Sequence, residues 1–136
     1  MHEFGLRFHH MGLATASPEV SLKFLRGLGY VPGPAMLDPA QNVNLVLCTH
    51  AQMPSMEVVS PTDTPGPLDT ILRAGGESFY HVCYETAELS KSLAAFKSAG
   101  DRVVCVVPRK PAVLFGGRHV SFYRVRGFGL IELLET

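Results

Sequence analysis

The chain has 136 residues, of which 46% are hydrophobic and 18% are charged, and its twelve basic residues balance twelve acidic ones. This composition is typical of a folded globular protein and excludes an extensively disordered one. A net charge of zero provides no overall field to attract nucleic acid or an anionic membrane, and no run approaches the roughly 18 apolar residues of a membrane-spanning helix.

The three cysteines, Cys48, Cys83 and Cys105, each lie inside an apolar run and have no zinc-like spacing. An odd set without a pairing pattern does not indicate a disulfide framework, so we expect buried, reduced thiols. The N-terminus also lacks the basic start and apolar stretch of a secretory signal. We therefore predict a soluble cytoplasmic protein.

The first half of the chain is predicted to contain four strands and one helix in the order βαβββ. Ser17-Pro18-Glu19 supplies a helix start, and apolar residues then recur at helical spacing until Gly27 and Gly29. The alternating or β-branched segments around this helix predict strands over 7–15, 30–35, 43–49 and 56–60.

The second half repeats this order after a Pro-rich linker and two helical turns over 68–74. Its predicted elements are a strand over 79–86, a helix over 88–99, and strands over 102–107, 119–125 and 129–135. We thus predict one α+β domain over residues 1–136, with module one at 5–60, a linker at 61–77 and module two at 78–136.

The two modules also match residue by residue. A shift of 71 positions places 79–100 on 8–29, with His81 on His10 and Gly100 on Gly29. Identical element order and identical residues at a fixed offset predict two stacked βαβββ modules with pseudo-twofold symmetry.

Two acids occupy unusual positions, because each lies within the apolar strand that closes its module. Glu57 lies in Met-Glu-Val-Val and Glu132 in Ile-Glu-Leu-Leu. A carboxylate in such a strand is costly to bury alone, and its recurrence at a matching place indicates a common purpose. Divalent cations stabilise buried carboxylates and bind neutral imidazoles beside them. We therefore predict one metal site formed by His10, Glu57, His81 and Glu132.

The repeat selects His10 over the adjacent His9. His81 aligns with His10, whereas His9 aligns with Tyr80, on the opposite face of the strand. Taken singly, each histidine has a simpler interpretation as a structural or exposed residue, and each glutamate as the partner of an arginine or lysine. Only the symmetric set of four favours a metal.

Five stretches carry a family resemblance: 8–14 (FHHMGLA), 56–61 (MEVVSP), 75–82 (GGESFYHV), the loop and strand over 108–122, and 129–135 (GLIELLE). Through them nearly the whole chain resembles the vicinal-oxygen-chelate (glyoxalase/bleomycin-resistance) superfamily, and within it the methylmalonyl-CoA epimerases. The resemblance implies two tandem βαβββ modules that form an incomplete eight-stranded barrel around one site. It places the metal ligands at the same four residues.

The resemblance also implies a function, that of a metal-dependent isomerase or epimerase. A divalent ion (Co, Zn, Ni, Mn or Fe) would stabilise the enolate of a small acyl thioester, such as a CoA thioester, or of a related carbonyl substrate. Glu132 would handle the proton as the catalytic residue. The family further implies a homodimer, and neither nucleic acid nor a membrane is an expected partner.

One position departs from the epimerase pattern. The second glutamate that would serve the other face of the substrate falls on Leu45 or, with a one-residue shift, on Asn44. Neither is a base, although Tyr123, His119 or Cys83 is a candidate replacement, and Asn44 and Tyr123 are candidate substrate contacts. A single-base isomerisation or a lyase reaction keeps the same chemistry.

The loop 108–118 matches the epimerase pattern of proline, basic residue, glycine pair and arginine. We expect Arg109, Lys110 and Arg118 to bind the phosphates of an acyl thioester or a substrate carboxylate. The simpler interpretation is a solvated turn whose glycines supply positive φ angles. Two other functions stay open: a glyoxalase I-type lyase, with the same ligand set, and a metal-free protein that sequesters a drug or other ligand.

Overall fold

The computed structural model describes residues 3–136. The helices are α1 (Pro18–Gly27), α2 (Pro67–Gly75) and α3 (Leu89–Ser98), and a 3₁₀ turn spans Val113–Phe115. The strands are β1 (Leu6–Ala14), β2 (Val31–Pro32), β3 (Met36–Asp38), β4 (Val43–Thr49), β5 (Ser55–Pro61), β6 (Ser78–Thr86), β7 (Val103–Pro111), β8 (His119–Val125) and β9 (Gly129–Glu135). The backbone contacts divide these elements into an N-terminal unit of residues 10–80 and a C-terminal unit that combines 3–9 with 81–136.

In the N-terminal unit, strands follow the order β2-β4-β5-β1, and β3 pairs with β4 beside β2. Helix α1 packs Leu25 against the sheet, where it joins Tyr30, Val46 and Val58 in one apolar core. The predicted strand over 30–35 is interrupted, because Pro32 and Pro34 lack the N–H group that continues a ladder.

In the C-terminal unit, strands follow the order β6-β9-β8-β7. Each face of this sheet carries its own core: Phe96 of α3 packs with Ile131 and Leu133 on one side, and Val120 packs with Leu134 on the other. Strand alternation therefore sends Ile131 and Leu133 toward the helix and Glu132 and Leu134 to the opposite face.

Strand β7 is longer than its predicted bounds and continues through Pro108 to Pro111. It is the terminal strand of its unit's sheet, and its pairing with β8 contains two register shifts. Proline is tolerated at such irregularities and on edge strands because it does not have to donate to a continuous ladder. Cys105 is exposed on this strand, whereas Cys48 and Cys83 are buried. The expectation of three buried thiols is thus wrong for Cys105, since an apolar run on an edge strand has no sheet neighbour on one side.

The repeat also reproduces one side-chain hydrogen bond at the start of each module's helix. The hydroxyl groups of Thr15 and Ser21 lie 3.0 Å apart, and those of Thr86 and Ser92 lie 2.8 Å apart. The Ser92 hydroxyl is also 2.9 Å from the carbonyl oxygen of Phe4. These matching bonds fix the strand-to-helix connection in both modules.

We expect Ser92→Ala to cost about 2 kcal/mol of unfolding free energy, because it leaves buried polar groups without their hydrogen bond. Ser21→Ala should cost about 0.5–1 kcal/mol, since Ser21 is less buried and solvent can replace its bond. Urea unfolding of both variants measures the difference. Equal losses would contradict the assignment of the larger effect to burial.

Candidate metal centre

The N-terminal unit holds a buried histidine–glutamate pair. Strands β1 and β5 run parallel, with His10 opposite Ser55 and Gly12 opposite Glu57, so His10 and Glu57 face the same side of the sheet. Nε2 of His10 lies 3.8 Å from Oε1 of Glu57. Both side chains are nearly inaccessible to solvent.

The C-terminal unit holds the same kind of pair. Strands β6 and β9 run parallel, and Cys83 lies opposite Glu132, so His81 and Glu132 also share a face. Nε2 of His81 lies 3.3 Å from Oε1 of Glu132, and both side chains are buried. Phe122, opposite Glu132 on β8, packs edge-on against the His81 ring with centroids 5.4 Å apart.

The donor chemistry and spacing of each pair fit metal ligation. Two ligands at about 2.1 Å from one ion lie about 3.0 Å apart in an octahedral site and about 3.4 Å apart in a tetrahedral one. The separations of 3.3 and 3.8 Å are within a few tenths of an ångström of that range. Each pair combines an imidazole nitrogen with a carboxylate oxygen, a donor set suited to Zn, Co, Ni, Mn or Fe.

Comparison with known families identifies the fold. A sequence model of the Glyoxalase/Bleomycin resistance protein/Dioxygenase superfamily matches residues 9–122. The chain belongs to this superfamily. The resemblance inferred from the sequence is therefore confirmed.

Several solved structures share the fold of this chain. A methylmalonyl-CoA epimerase from Mycobacterium tuberculosis superposes with a TM-score of 0.76 at 19% identity, covering 94% of this chain and 86% of its own. A hypothetical protein from Bacillus halodurans C-125 gives 0.81 at 20%, covering 96% and 94%. A variant epimerase from Streptomyces coelicolor in complex with 2-nitronate-propionyl-CoA gives 0.75 at 20%, covering 96% of each chain.

At these identities the structures establish the fold alone, and they confirm the predicted α+β class built from βαβββ modules. No curated protein sequence gives a significant match. Within residues 3–136, no helix is long and apolar enough to cross a membrane.

The two positions considered for a second base lie on opposite faces of β4. Leu45 pairs with Val59 and Leu47 pairs with Glu57, so Leu45 lies on the same face of the sheet as the His10–Glu57 pair. Its side chain is buried. Asn44 points to the other side, is exposed, and its amide lies 3.4 Å from the Pro61 carbonyl oxygen. Of the two positions, only Leu45 is on the face of Glu57.

The three candidate replacements for that base are also separated by strand parity. Tyr123 lies on the α3 side of β8, where it packs with Phe96 and its hydroxyl bonds to Ser121, so it faces away from Glu132. Burial raises the pKa of Tyr123, which opposes its use as a base. Cys83 does share the face of Glu132, and His119 lies half-buried at the start of β8.

The two arginines of the loop are held by acids of the same unit. Arg109 forms an ion pair with Glu135 at 2.7 Å. Arg118 donates from Nη2 to Glu85 at 2.7 Å and from Nε to the Glu135 carbonyl oxygen at 2.9 Å. Lys110 pairs in register with Val120, on the Glu132 face of the sheet. Beyond them Gly116 and Gly117 have φ angles of 63° and 80°, as a turn requires.

Glu85 is the shared hydrogen-bond acceptor of Arg7 and Arg118, a role that the sequence pattern did not predict. It accepts hydrogen bonds from both Arg118 and Arg7, each at 2.7 Å. Partial burial alone would raise the pKa of Glu85, but these two hydrogen bonds outweigh it and hold the pKa below its ordinary value. Its only sequence signal was its position four residues after His81 on the same face of β6.

This lowered pKa predicts a specific loss of stability in acid. A carboxyl with a lowered pKa stabilises the fold above its unfolded value of about 4.3 and loses that contribution as pH falls through its folded value. We expect Glu85→Gln to cost about 1 kcal/mol at pH 7 and to flatten the decline below pH ~4. Urea unfolding at several pH values measures this, and Glu88→Gln, which alters the exposed pair with Lys91, is the control. Identical pH profiles for wild type and Glu85→Gln would refute it.

Proposed function

We propose that His10, Glu57, His81 and Glu132 jointly bind one divalent metal ion, and that the chain is a metal-dependent enzyme which moves a proton next to a carbonyl group. The repetition of the buried pair carries this proposal. One buried histidine–glutamate pair has a structural explanation, but the same pair on matching strands of both modules is expected of two halves of one site. Members of the superfamily usually bind a divalent metal.

The number of ligands supports a shared ion. Each pair offers two donors, whereas catalytic zinc sites in proteins use three protein ligands and an open position. Four ligands from the two modules would leave places for neighbouring oxygens of a substrate on an ion that accepts six. The donor set does not select among the five transition metals.

A bound divalent metal would supply Lewis acidity, which makes the C–H group beside a substrate carbonyl more acidic. The chain's own residues must then remove and return the proton. We assign that role to Glu132, as the family resemblance implies. Phe122 would keep His81 in its orientation by packing against the edge of its ring.

The side chains around Glu57 argue for proton transfer on only one side of the substrate. By register, Leu45, Leu47 and Val59 share its face of the sheet, and none of these side chains transfers protons. We therefore propose that the proton leaves and returns on the Glu132 side alone. This favours a single-base isomerisation over an epimerisation, which needs a base on each side of the planar intermediate.

The proposed substrate is a small acyl thioester or a related carbonyl compound. Solved relatives bind methylmalonyl-CoA or 2-nitronate-propionyl-CoA. In this chain Lys110 lies on the Glu132 face by strand register, so it is our first candidate for a substrate carboxylate or phosphate. Arg109 and Arg118 would contribute to the same positive surface while Glu135 and Glu85 hold them in place.

Metal analysis of the purified protein tests the first half of the proposal. We expect about one divalent ion per chain in wild type and its near-complete loss in His10→Ala/His81→Ala. His119→Ala is the matched control, a histidine outside the two pairs, and should retain the ion. Equal metal contents in wild type and the double variant would show that the site is wrong.

Solvent exchange tests the second half. In D2O, the metal-loaded protein should place deuterium at the carbon beside the carbonyl of 2-methyl acyl thioesters, without inverting its configuration. The signal is read by proton NMR with the apoprotein as the blank. A protein with its metal in place that exchanges no deuterium would refute enolate chemistry on these substrates and leave the metal assignment standing.

A further inference from the structure

The C-terminal unit contains a solvent-accessible cavity of about 430 Å³ on the α3 side of its sheet. All of its lining residues belong to this unit. Its walls are mainly apolar and include four aromatic rings, those of Phe4, Tyr84, Phe96 and Phe128. Ile131 lines the cavity, whereas the next residue of β9, Glu132, faces the opposite side. The sheet therefore separates this cavity from the His81–Glu132 pair.

The repeat supplies an internal comparison for one residue of this cavity, Asp101. A shift of 71 positions places Asp101 on Tyr30, the residue that follows the helix of module one. The amide of Tyr30 donates to the carbonyl oxygen of Leu25 at 3.0 Å. The amide of Asp101 donates in the same way to the carbonyl oxygen of Phe96, also at 3.0 Å. The two modules thus share this backbone connection and differ in the side chain that it carries.

The neighbours of the two residues are also equivalent. In module one, Leu13 and Leu25 pack in the same apolar core as Tyr30. The shift of 71 positions places Tyr84 on Leu13 and Phe96 on Leu25, and both of these aromatic residues line the cavity. The cavity of module two therefore lies where module one has the Tyr30 ring in its core.

Tyr30 indicates what kind of group this space accepts. Its side chain is only 3% exposed, and its hydroxyl donates a hydrogen bond to the Pro54 carbonyl oxygen at 2.7 Å. A buried phenol is stable in such a place because its ring is apolar and its hydroxyl has a partner. Asp101 is shorter and charged, and it lies exposed at the wall of the cavity instead of filling it.

Two charged residues of opposite sign lie close together along this wall. The amide of Arg126 donates to the carbonyl oxygen of Arg102 at 2.9 Å, which brings Arg126 beside the residue that follows Asp101. Both Asp101 and Arg126 line the cavity. Their opposite charges favour an uncharged ligand whose hydroxyl group both donates and accepts a hydrogen bond.

We propose that this cavity binds a small uncharged phenol, whose ring takes the place that the Tyr30 ring has in module one. The phenol hydroxyl donates to the carboxylate of Asp101 and accepts from the guanidinium of Arg126. Phe128, in the turn between β8 and β9, covers the ring and is itself 60% exposed. The cavity volume lies within the range of about 300–1,000 Å³ that is typical of small-molecule sites, so a phenol with an apolar para substituent also fits.

The test is an NMR titration of isotope-labelled full-length protein with p-cresol, which has the ring and hydroxyl of a tyrosine side chain. Amide shifts should change around Asp101 and Phe128. We expect p-xylene, in which a methyl group replaces the hydroxyl, to bind about 10-fold more weakly. His10→Ala/His81→Ala should bind p-cresol as wild type does, because the cavity is on the other side of the sheet. No shift changes at the cavity, or equal affinity for the two compounds, would overturn the proposal.

Asp101→Tyr transfers the residue of module one to module two and should fill the cavity from within. We expect it to abolish p-cresol binding and to raise the melting temperature by about 3–6 °C, because the added ring buries apolar area. Arg102→Tyr is the matched control, since it adds the same ring at the next position, outside the cavity lining, and should bind p-cresol normally. A folded Asp101→Tyr protein that still binds p-cresol would contradict the proposed site.

Phe128→Ala gives an independent readout if Asp101→Tyr fails to fold, which circular dichroism reports. Removal of the covering ring should weaken p-cresol binding at least about 5-fold without altering the core. Phe79→Ala is its control, because Phe79 is similarly exposed, at 56%, and lies outside the cavity lining. Equal p-cresol affinities of the two alanine variants would overturn the proposal.

Discussion

Glu132→Gln is expected to reduce proton exchange at least about 10³-fold, even with metal in excess, because general-base catalysis contributes on the order of 10²–10⁴-fold. Glutamine preserves the size of the side chain and one oxygen donor, but it cannot accept a proton. Circular dichroism should remain native. The measurement is the deuterium exchange rate of a 2-methyl acyl thioester at saturating metal.

Glu57→Gln is the matched control for this prediction. Glu57 occupies the equivalent place in the other module, is equally buried, and in our proposal is a ligand without a role in proton transfer. At saturating metal it should lose only about 10-fold, the scale of a weakened metal site. Equal losses in the two variants would mean that both glutamates act only as ligands, and the base would have to be sought at Cys83 or elsewhere on that face.

Thermal unfolding separates metal binding from catalysis in the same variants. An ion that binds the folded chain stabilises it by about 2.7 kcal/mol at a concentration 100 times its dissociation constant. Wild type should show this stabilisation in full, and both glutamine variants should need more metal to reach it. If Glu132→Gln lost exchange activity but was stabilised by metal as strongly as wild type, Glu132 would act in proton transfer and not as a metal ligand.

The sequence predicted the elements that the repeat marks twice. Strand β4 was placed at its observed bounds from its apolar run after a turn. The four residues of the two histidine–glutamate pairs were singled out because His10 and His81 match in the repeat and the closing strand of each module contains an acid among apolar residues. The prediction was wrong where a local sequence rule did not take account of the position of a strand in its sheet. Pro108 indicated a loop, yet it lies in β7, since proline is tolerated on a strand with one free edge.

Contacts between residues far apart in the sequence could not be predicted from local patterns. Both faces of β8 carry an aromatic residue, so alternation alone did not reveal that Phe122 faces Glu132 and Tyr123 faces α3. Arg118 and Glu85 are 33 residues apart, and no local pattern joins them. Parity predicts which residues share a face, but only the packing of a helix shows which face is which.

Leu45→Glu should convert one-sided exchange into epimerisation, which is the second large effect we expect. Leu45 lies on the face of Glu57, diagonal to it across the β4–β5 pair, so a carboxylate there would supply a base beside the aliphatic side chains of Leu47 and Val59. Inversion of a chiral 2-methyl acyl thioester should rise at least about 10²-fold above wild type. Chiral chromatography of the thioester after incubation measures inversion separately from deuterium exchange.

Two controls make this prediction specific. Leu45→Gln has nearly the same size and polarity but no base, and Asn44→Glu adds a carboxylate on the opposite, exposed face of β4. Neither should invert the substrate. Burying a carboxylate in place of a leucine costs about 2–4 kcal/mol of stability, so unfolding must be followed in parallel.

The result distinguishes between two explanations for the presence of leucine at position 45. If Leu45→Glu gains inversion while wild type only exchanges deuterium, the aliphatic face determines a one-sided reaction. If wild type itself inverts the substrate, a second base acts from outside the Glu57 face, and Cys83, which shares the face of Glu132, is the first residue to replace. If a folded, metal-loaded Leu45→Glu gains nothing, the substrate does not lie against β4, and the single-base proposal loses its structural reason.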